Sequence, residues 1–352
     1  METVRKASKK SESLLVLGDQ ELIAYSAAIY QRGLDIIKDL EKEALISFID
    51  PQMDAAVRLA AGKPDGELRF KDIKHLKVLN APRCEIASLQ GIEQLVSLKE
   101  VHLMGNQIDS LTCLGELDSL QSLNLSHNQI SDLTGLANLK KLRRLYLGRN
   151  QISDIEPLTG LANLKDLVLS YNEITDIRPL TGLKQLEELH LTGNKIRDIS
   201  GLSHLKKLRV LSLSGNQIVD LKSLADLKSL EKLWLSNNLI NSLDSLRELK
   251  KLHLLYLGSN QIREIDSLAS LSELTDLDLS DNSIGNIRPL ISNIKLNELK
   301  LSNNRIRNIN ALLSLKLLGI VELDHNQVHP NDNAAVRHVL TQLAQQGCLI
   351  KL

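Results

Sequence analysis

The sequence predicts an α/β solenoid, a horseshoe with a parallel concave sheet, short 3-10 turns or coil on the convex side, and helical caps at both ends. Three observations lead there. Asparagine recurs every 22 residues from Asn106 to Asn326, with no insertion or deletion. Leucine and isoleucine hold fixed places around it, which for Asn150 are Leu142, Leu145, Leu147, Ile152, Ile155, Leu158 and Leu161. The four large aromatics of the repeats stand outside that apolar frame. A fixed period of this length marks units that bury their apolar faces only against one another.

Each part of the chain has a place in this scheme. Residues 1–13 are charged and Ser-rich without periodicity, and are expected to be disordered. Residues 14–75 form an N-terminal cap. A helix is expected from about Gln20 to Phe48, with Ile29, Ile36, Ile37, Leu40, Ala44 and Phe48 on related faces and Gly33 as an interruption. It either packs on the first repeat or pairs with another chain. Asp50 and Pro51 open a second helix, and Gly62 ends it.

Twelve repeats follow over 76–328. The first has Cys84 at the asparagine place, with Leu76, Leu79, Ile86, Leu89 and Ile92 in frame. Within a repeat, Leu145-Tyr146-Leu147 alternates and reads as a strand. Twelve such strands at roughly 4.8 Å spacing span roughly 50–60 Å. The asparagine amide is expected to bond backbone groups of its own and neighbouring turns, each costing about 1–3 kcal/mol if buried unpaired. Pro157, Pro179 and Pro289 share one frame on the return path, where a tight helical turn begins. After Val328 the pattern stops. His329 to Asp332 marks a turn, Ala334 to Gln346 a capping helix, and Cys348-Leu349-Ile350 a last strand, so 329–352 closes the open sheet edge.

The motif LxxLxLxxNxIxxIxxL over about 76–328 resembles the leucine-rich repeats of the 22-residue class, found in bacterial internalins and in a eukaryotic phosphatase-1 regulator. The run FIDPQMDAAVRLAAGKPDGELRFKDI is similar to the N-terminal cap of internalin-like bacterial proteins. The resemblance implies the horseshoe fold and a protein partner, and is nearly silent on which one.

Composition excludes several classes. Lys+Arg and Asp+Glu are both 43, so no global charge favours nucleic acid or anionic membrane. Cys84, Cys113 and Cys348 are odd in number and scattered, which fits a reducing compartment. The apolar run Leu14 to Leu17 is too short for a secretory core, no stretch has a membrane span's length, and no anchor segment is expected at the C-terminus. A cytoplasmic location is the expectation.

No motif for nucleophilic, phosphate-binding or metalloprotease chemistry is present. His102 and His190 share a frame but lie roughly 19 Å apart, beyond metal-bridging distance. Asp132, Asp154, Asp176, Asp198 and Asp220 recur four places after the asparagine. Spaced by whole repeats they supply too few oxygens for calcium, and turn capping explains them better. Neither enzyme activity, cofactor nor metal is expected. Lysines 140, 184, 206, 228, 250 and 316 form a solvated ridge entering the strands.

The aromatics carry the functional reading. Tyr146, Trp234 and Tyr256 fall at the outward centre of a strand, and Tyr171 at a strand exit. Trp234 and Tyr256 occupy one frame in adjacent repeats, with Leu254 and Val210 nearby and Asp276, Asp278 and Asp281 next along, then Lys300, Glu322 and Asp324. A second group gathers Arg144, Tyr146, Arg149, Val168, Tyr171 and His190. Exposed aromatics rimmed by charge suit a protein-binding surface. The expected partner-binding residues are Arg144, Tyr146, Tyr171, His190, Trp234, Leu254, Tyr256, Asp276 and Asp278, on a non-enzymatic binding scaffold. A regulatory subunit of a phosphatase and an exported, host-directed factor remain the alternatives.

Overall fold

The computed structural model describes residues 19–329 and 334–352. The tail over 1–13 and most of the turn after His329 lie outside them. Three-residue strands run from β1 (Val78–Asn80) to β12 (Ile320–Glu322), and β13 (Leu349–Lys351) follows β12, all in one parallel sheet in chain order. Register is uniform from β1 to β12: each residue pairs with the one 22 places on, as Trp234 does with Tyr256, and only the last pairing, β12 with β13, spans 29. Short 3-10 turns return the chain on the convex side, and their Pro157, Pro179 and Pro289 sit in the first turn as expected. The horseshoe with its parallel sheet is the predicted fold.

The strands begin one residue earlier than the alternation suggests. β4 is Arg144–Tyr146, not Leu145 to Leu147. The Leu147 N–H still donates to the Val168 carbonyl at 2.8 Å, but the chain is already turning. The aromatics therefore stand at strand ends rather than strand centres, with the central leucine buried beneath them.

That turn has a backbone requirement. Two residues after each exit leucine, φ is positive in every coil from Arg83 to His325, including Gly105, His127, Arg149, Tyr171, Gly193, Gly215, Asn237 and Ser259. A side chain there pays for a left-handed backbone that glycine adopts freely. Ser259→Gly is therefore expected to stabilise the chain by about 0.5 kcal/mol after glycine's greater unfolded entropy is offset, read as a higher denaturant midpoint. A lower midpoint would refute the strain argument.

The asparagines bond as expected. In Asn172, Nδ2 donates to the Leu147 and Leu169 carbonyls, both at 3.0 Å, and Oδ1 accepts from the Ile152 N–H at 3.0 Å. One amide thus ties three groups in two coils. Cys84 does not reproduce this. It is half-buried, and its Sγ lies 3.4 Å from the Pro82 carbonyl of its own turn. It begins the stack, so no earlier coil offers groups to bridge.

The aspartates serve as turn caps. The Oδ1 of Asp132, Asp154, Asp176, Asp198 and Asp220 accepts the N–H two residues on, at 2.8–2.9 Å. This is the Asx geometry that starts each 3-10 turn.

The N-terminal cap departs from expectation. Helix α1 spans Asp19–Glu43 and passes through Gly33. The chain then runs extended, with Leu45 bridged to Arg69 and Ile46 and Phe48 buried. Those two side chains fill the end of the core, and helix α2 (Pro51–Ala61) seals it with Met53 and Val57 wholly buried. The described apolar side chains of α1 do not pack on the first repeat. Ile23, Ile29, Tyr30 and Ile36 are 56–70 % exposed, and α1 touches the short helix α3 (Phe70–Ile73). At Ile29 and Ile36 the expected packing on the first repeat is thus corrected.

Asp50 joins cap to solenoid. Its Oδ1 accepts the Gln52 and Met53 N–H groups at the start of α2, both at 2.9 Å. Its Oδ2 accepts Ala87 at 2.7 Å and Ser88 at 3.1 Å, in the first repeat. Burial pushes the carboxyl up, but these four donors outweigh it and hold it below the usual carboxylate range. Asp50→Ala is expected to cost about 3 kcal/mol, combining a lost N-cap with unpaired donors. Since the folded-state value is depressed, this stabilisation is complete above the unfolded value near pH 4 and fades as pH falls through the folded one. Denaturant melts at pH 7 and pH 3 check this: the gap between wild type and variant should be smaller in acid, and an equal gap at both would contradict it.

At the other end, helix α4 (Ala334–Gln345) buries Val336, Val339 and Leu343. It carries the chain into β13, so the final pairing edge of the repeats is covered.

Candidate binding face

Each strand buries its central residue and turns the first and third outward. Two columns therefore cross the concave face. One reads Arg144, Asp166, Glu188, Val210, Lys232, Leu254, Asp276, Glu298; the other reads Tyr146, Val168, His190, Ser212, Trp234, Tyr256, Asp278, Lys300. Every inward position beneath them is leucine, fully or almost fully buried. The aromatics are not part of that spine.

Trp234 ends β8 (Lys232–Trp234) and Tyr256 ends β9 (Leu254–Tyr256). Their ring centroids are 6.4 Å apart and their planes at 80°, an edge-to-face pair. Both are half-buried and reachable from the concave side. Next come β10 (Asp276–Asp278) and β11 (Glu298–Lys300), which set Asp276 beside Leu254 and Asp278 beside Tyr256. Lys300 Nζ lies 5.8 Å from the Tyr256 ring centroid and 2.8 Å from Glu298. Burial pushes the Tyr256 hydroxyl up, and Glu298, Asp276 and Asp278 add to it against Lys300. Trp234, Leu254, Tyr256, Asp276 and Asp278 are thus one contiguous patch.

The second predicted group divides. Tyr146, Val168 and His190 run side by side, but Arg144 reaches back across one strand to Glu100 at 3.4 Å. His190 is held below its ordinary value by burial, against the pull of Glu188 and Asp166, so it is neutral near pH 7. Tyr171 stands apart at the strand exit, with φ +59° and half its surface exposed. Its ring covers the α-carbon of Gly193, where a Cβ would come within 2.7 Å, and Arg149 lies over it at 4.4 Å. That ring bridges coils at the rim rather than joining the strand-end aromatics.

Asp166 and Glu188 are cross-strand neighbours in β5 (Asp166–Val168) and β6 (Glu188–His190). Burial, then Glu188 and Glu187, push the Asp166 carboxyl up, and Arg144 and Lys165 do not cancel them. Sequence reading missed this pair because it followed the aromatics. The signal was available, since Asp166 and Glu188 share the 22-residue frame of Asp276.

Among the described residues no group of three His, Cys, Asp or Glu side chains is placed to hold a metal, and no helix is long and apolar enough to cross a membrane. A hollow of about 300 Å³ opens between convex turns, lined by Asn286, Arg288, Ile291, Asn308, Asn310 and Ala311, without a nucleophile and base together.

Comparison with known proteins agrees with this geometry. The family model for leucine-rich repeats in two copies matches residues 118–160, 162–204, 206–248 and 250–292. An internalin, InlF, from Listeria monocytogenes is 28% identical, with 86% of this chain and 95% of that one covered at a TM-score of 0.74. Internalin C2 from the same organism is 31% identical over 67% of this chain and 94% of its own, with a TM-score of 0.50. The chain belongs to the internalin-like leucine-rich-repeat proteins. A leucine-rich-repeat protein of Leptospira interrogans is 26% identical, covering 80% of this chain and 85% of that one, at a TM-score of 0.62. No curated protein matches the sequence. As a leucine-rich-repeat protein, the chain has a scaffold of the kind used for protein–protein interaction.

Proposed function

We propose that the chain is a non-enzymatic scaffold that grips another protein on its concave face between β4 and β11, a span of about 34 Å. The observation that carries this reading is the Trp234–Tyr256 pair, set outward over an all-leucine core. Strand propensity alone puts single aromatics on a sheet. It does not set the only tryptophan of the chain against a tyrosine, with Leu254 and two aspartates around them. Trp and Tyr are the side chains that most often dominate interface energy. The sheet is preformed, so little ordering entropy opposes docking. The thiols Cys84, Cys113 and Cys348 are free, which suits a reducing compartment such as the cytoplasm.

A photo-crosslinking side chain tests the face. It would replace Val210, between Glu188 and Lys232 on the sheet, or Lys222, on a convex turn. Irradiation in cells should give adducts of a defined protein from position 210 only. Adducts from position 222 alone, or equally from both, would refute the reading.

A further inference from the structure

Resting on the concave-face reading, we propose that the occupant is a basic, extended segment. Two of its Lys or Arg side chains, about five to seven residues apart, would be received at Trp234–Tyr256–Asp278 and at Asp166–Glu188.

Charge balance on the face is the first argument. Several of its ionic groups are already paired: Arg144 with Glu100, Lys300 with Glu298, and Lys351 with Glu322. Asp166, Glu188, Asp276 and Asp278 make no ion pair among the described residues, and Lys232 is the one Lys or Arg of the two columns without an ion pair between β4 and β11. Like charges directly opposite on a sheet are destabilising. The Asp166–Glu188 pair therefore costs the free protein stability, which a bound cation would relieve.

The rings supply the second argument. Two tyrosines of this chain already hold a cation at the ring, Lys300 at Tyr256 and Arg149 at Tyr171. The Trp234–Tyr256 pair, next to Asp278, presents the same combination with an indole added. His190 stays neutral beside the acidic pair and adds no repulsion toward a cation. An acidic peptide or a nucleic acid phosphate would meet four carboxylates instead.

Geometry sets the spacing. From the midpoint of β5 and β6 to Tyr256 on β9 or Asp278 on β10 is three and a half to four and a half strand spacings, about 17–22 Å, or about five to seven extended residues.

Random twelve-residue peptides displayed on phage, panned on the immobilised full chain, test the proposal. Selected peptides should carry two basic residues five to seven apart. As synthetic peptides they should bind Asp166→Asn/Glu188→Gln about tenfold more weakly than wild type. These substitutions relieve repulsion, so the fold is not at risk, and thermal melting confirms it. Acidic or apolar consensus peptides, or basic ones that bind this variant equally well, would overturn the basic occupant. If such peptides still fail on Trp234→Ala/Tyr256→Ala, the concave-face reading survives. Peptides bound alike by all variants, or no selected peptide at all, would overturn both.

Discussion

Replacing Trp234 and Tyr256 together by alanine is expected to weaken partner binding by about 100-fold or more while leaving thermal melting within a degree or two of wild type. Hot-spot aromatics carry about 2 kcal/mol or more each. The two rings touch edge to face, so their effects will not add, and removing either unsupports the other. Stability is spared for a structural reason. Leu233 and Leu255, wholly buried under the rings, hold the coils together, and neither ring enters that layer. Binding isotherms and melts on the same preparations check both halves. A large drop in melting temperature would mean the rings serve the fold.

The opposite pattern is expected for Asn216→Ala. This side chain is 8% exposed. Its Nδ2 donates to the Leu191 carbonyl at 3.0 Å and the Leu213 carbonyl at 2.9 Å, and its Oδ1 accepts from the Ile196 N–H at 3.0 Å. Alanine leaves the Ile196 N–H in the dry interior without a partner, at about 1–3 kcal/mol, and takes one of two donors from each carbonyl, which Asn194 and Asn238 still serve, so the loss should reach about 2–3 kcal/mol. Coils in a solenoid depend on their nearest neighbours, so the damage should spread locally. Hydrogen exchange should quicken at Ile196 and through the adjoining strands before it does near either cap. Uniform protection and an unchanged denaturant midpoint would show that the amide ladder is dispensable.

The solenoid was legible because one asparagine and seven apolar places repeat without slippage, and each has a local physical reason. What escaped sequence reading depends on groups far apart in the chain. Asp50 reads as a helix cap, and its α2 role was visible; its second pair of bonds, to Ala87 and Ser88, joins residues 37 and 38 places away. α1 shows apolar periodicity, but periodicity does not say what covers a face, and Ile46 and Phe48 had taken the place it would have used. The left-handed column is partly visible as Gly105, Gly193, Gly215, Asn237 and Asn303, and hidden where Arg149 and Tyr171 occupy it. The proposed patch was read from its aromatics. Asp166 and Glu188 were passed over because a charged residue on a strand's outer face is ordinarily a solvated one.

Because Trp234 is the only tryptophan, its emission reports on the concave face with no background from elsewhere. Titrating the crosslinked partner, or a fragment of it that lacks tryptophan, into the intact chain should shift or quench that emission saturably, at the concentration where binding is seen independently. Saturated binding with the Trp234 spectrum unmoved would contradict the account.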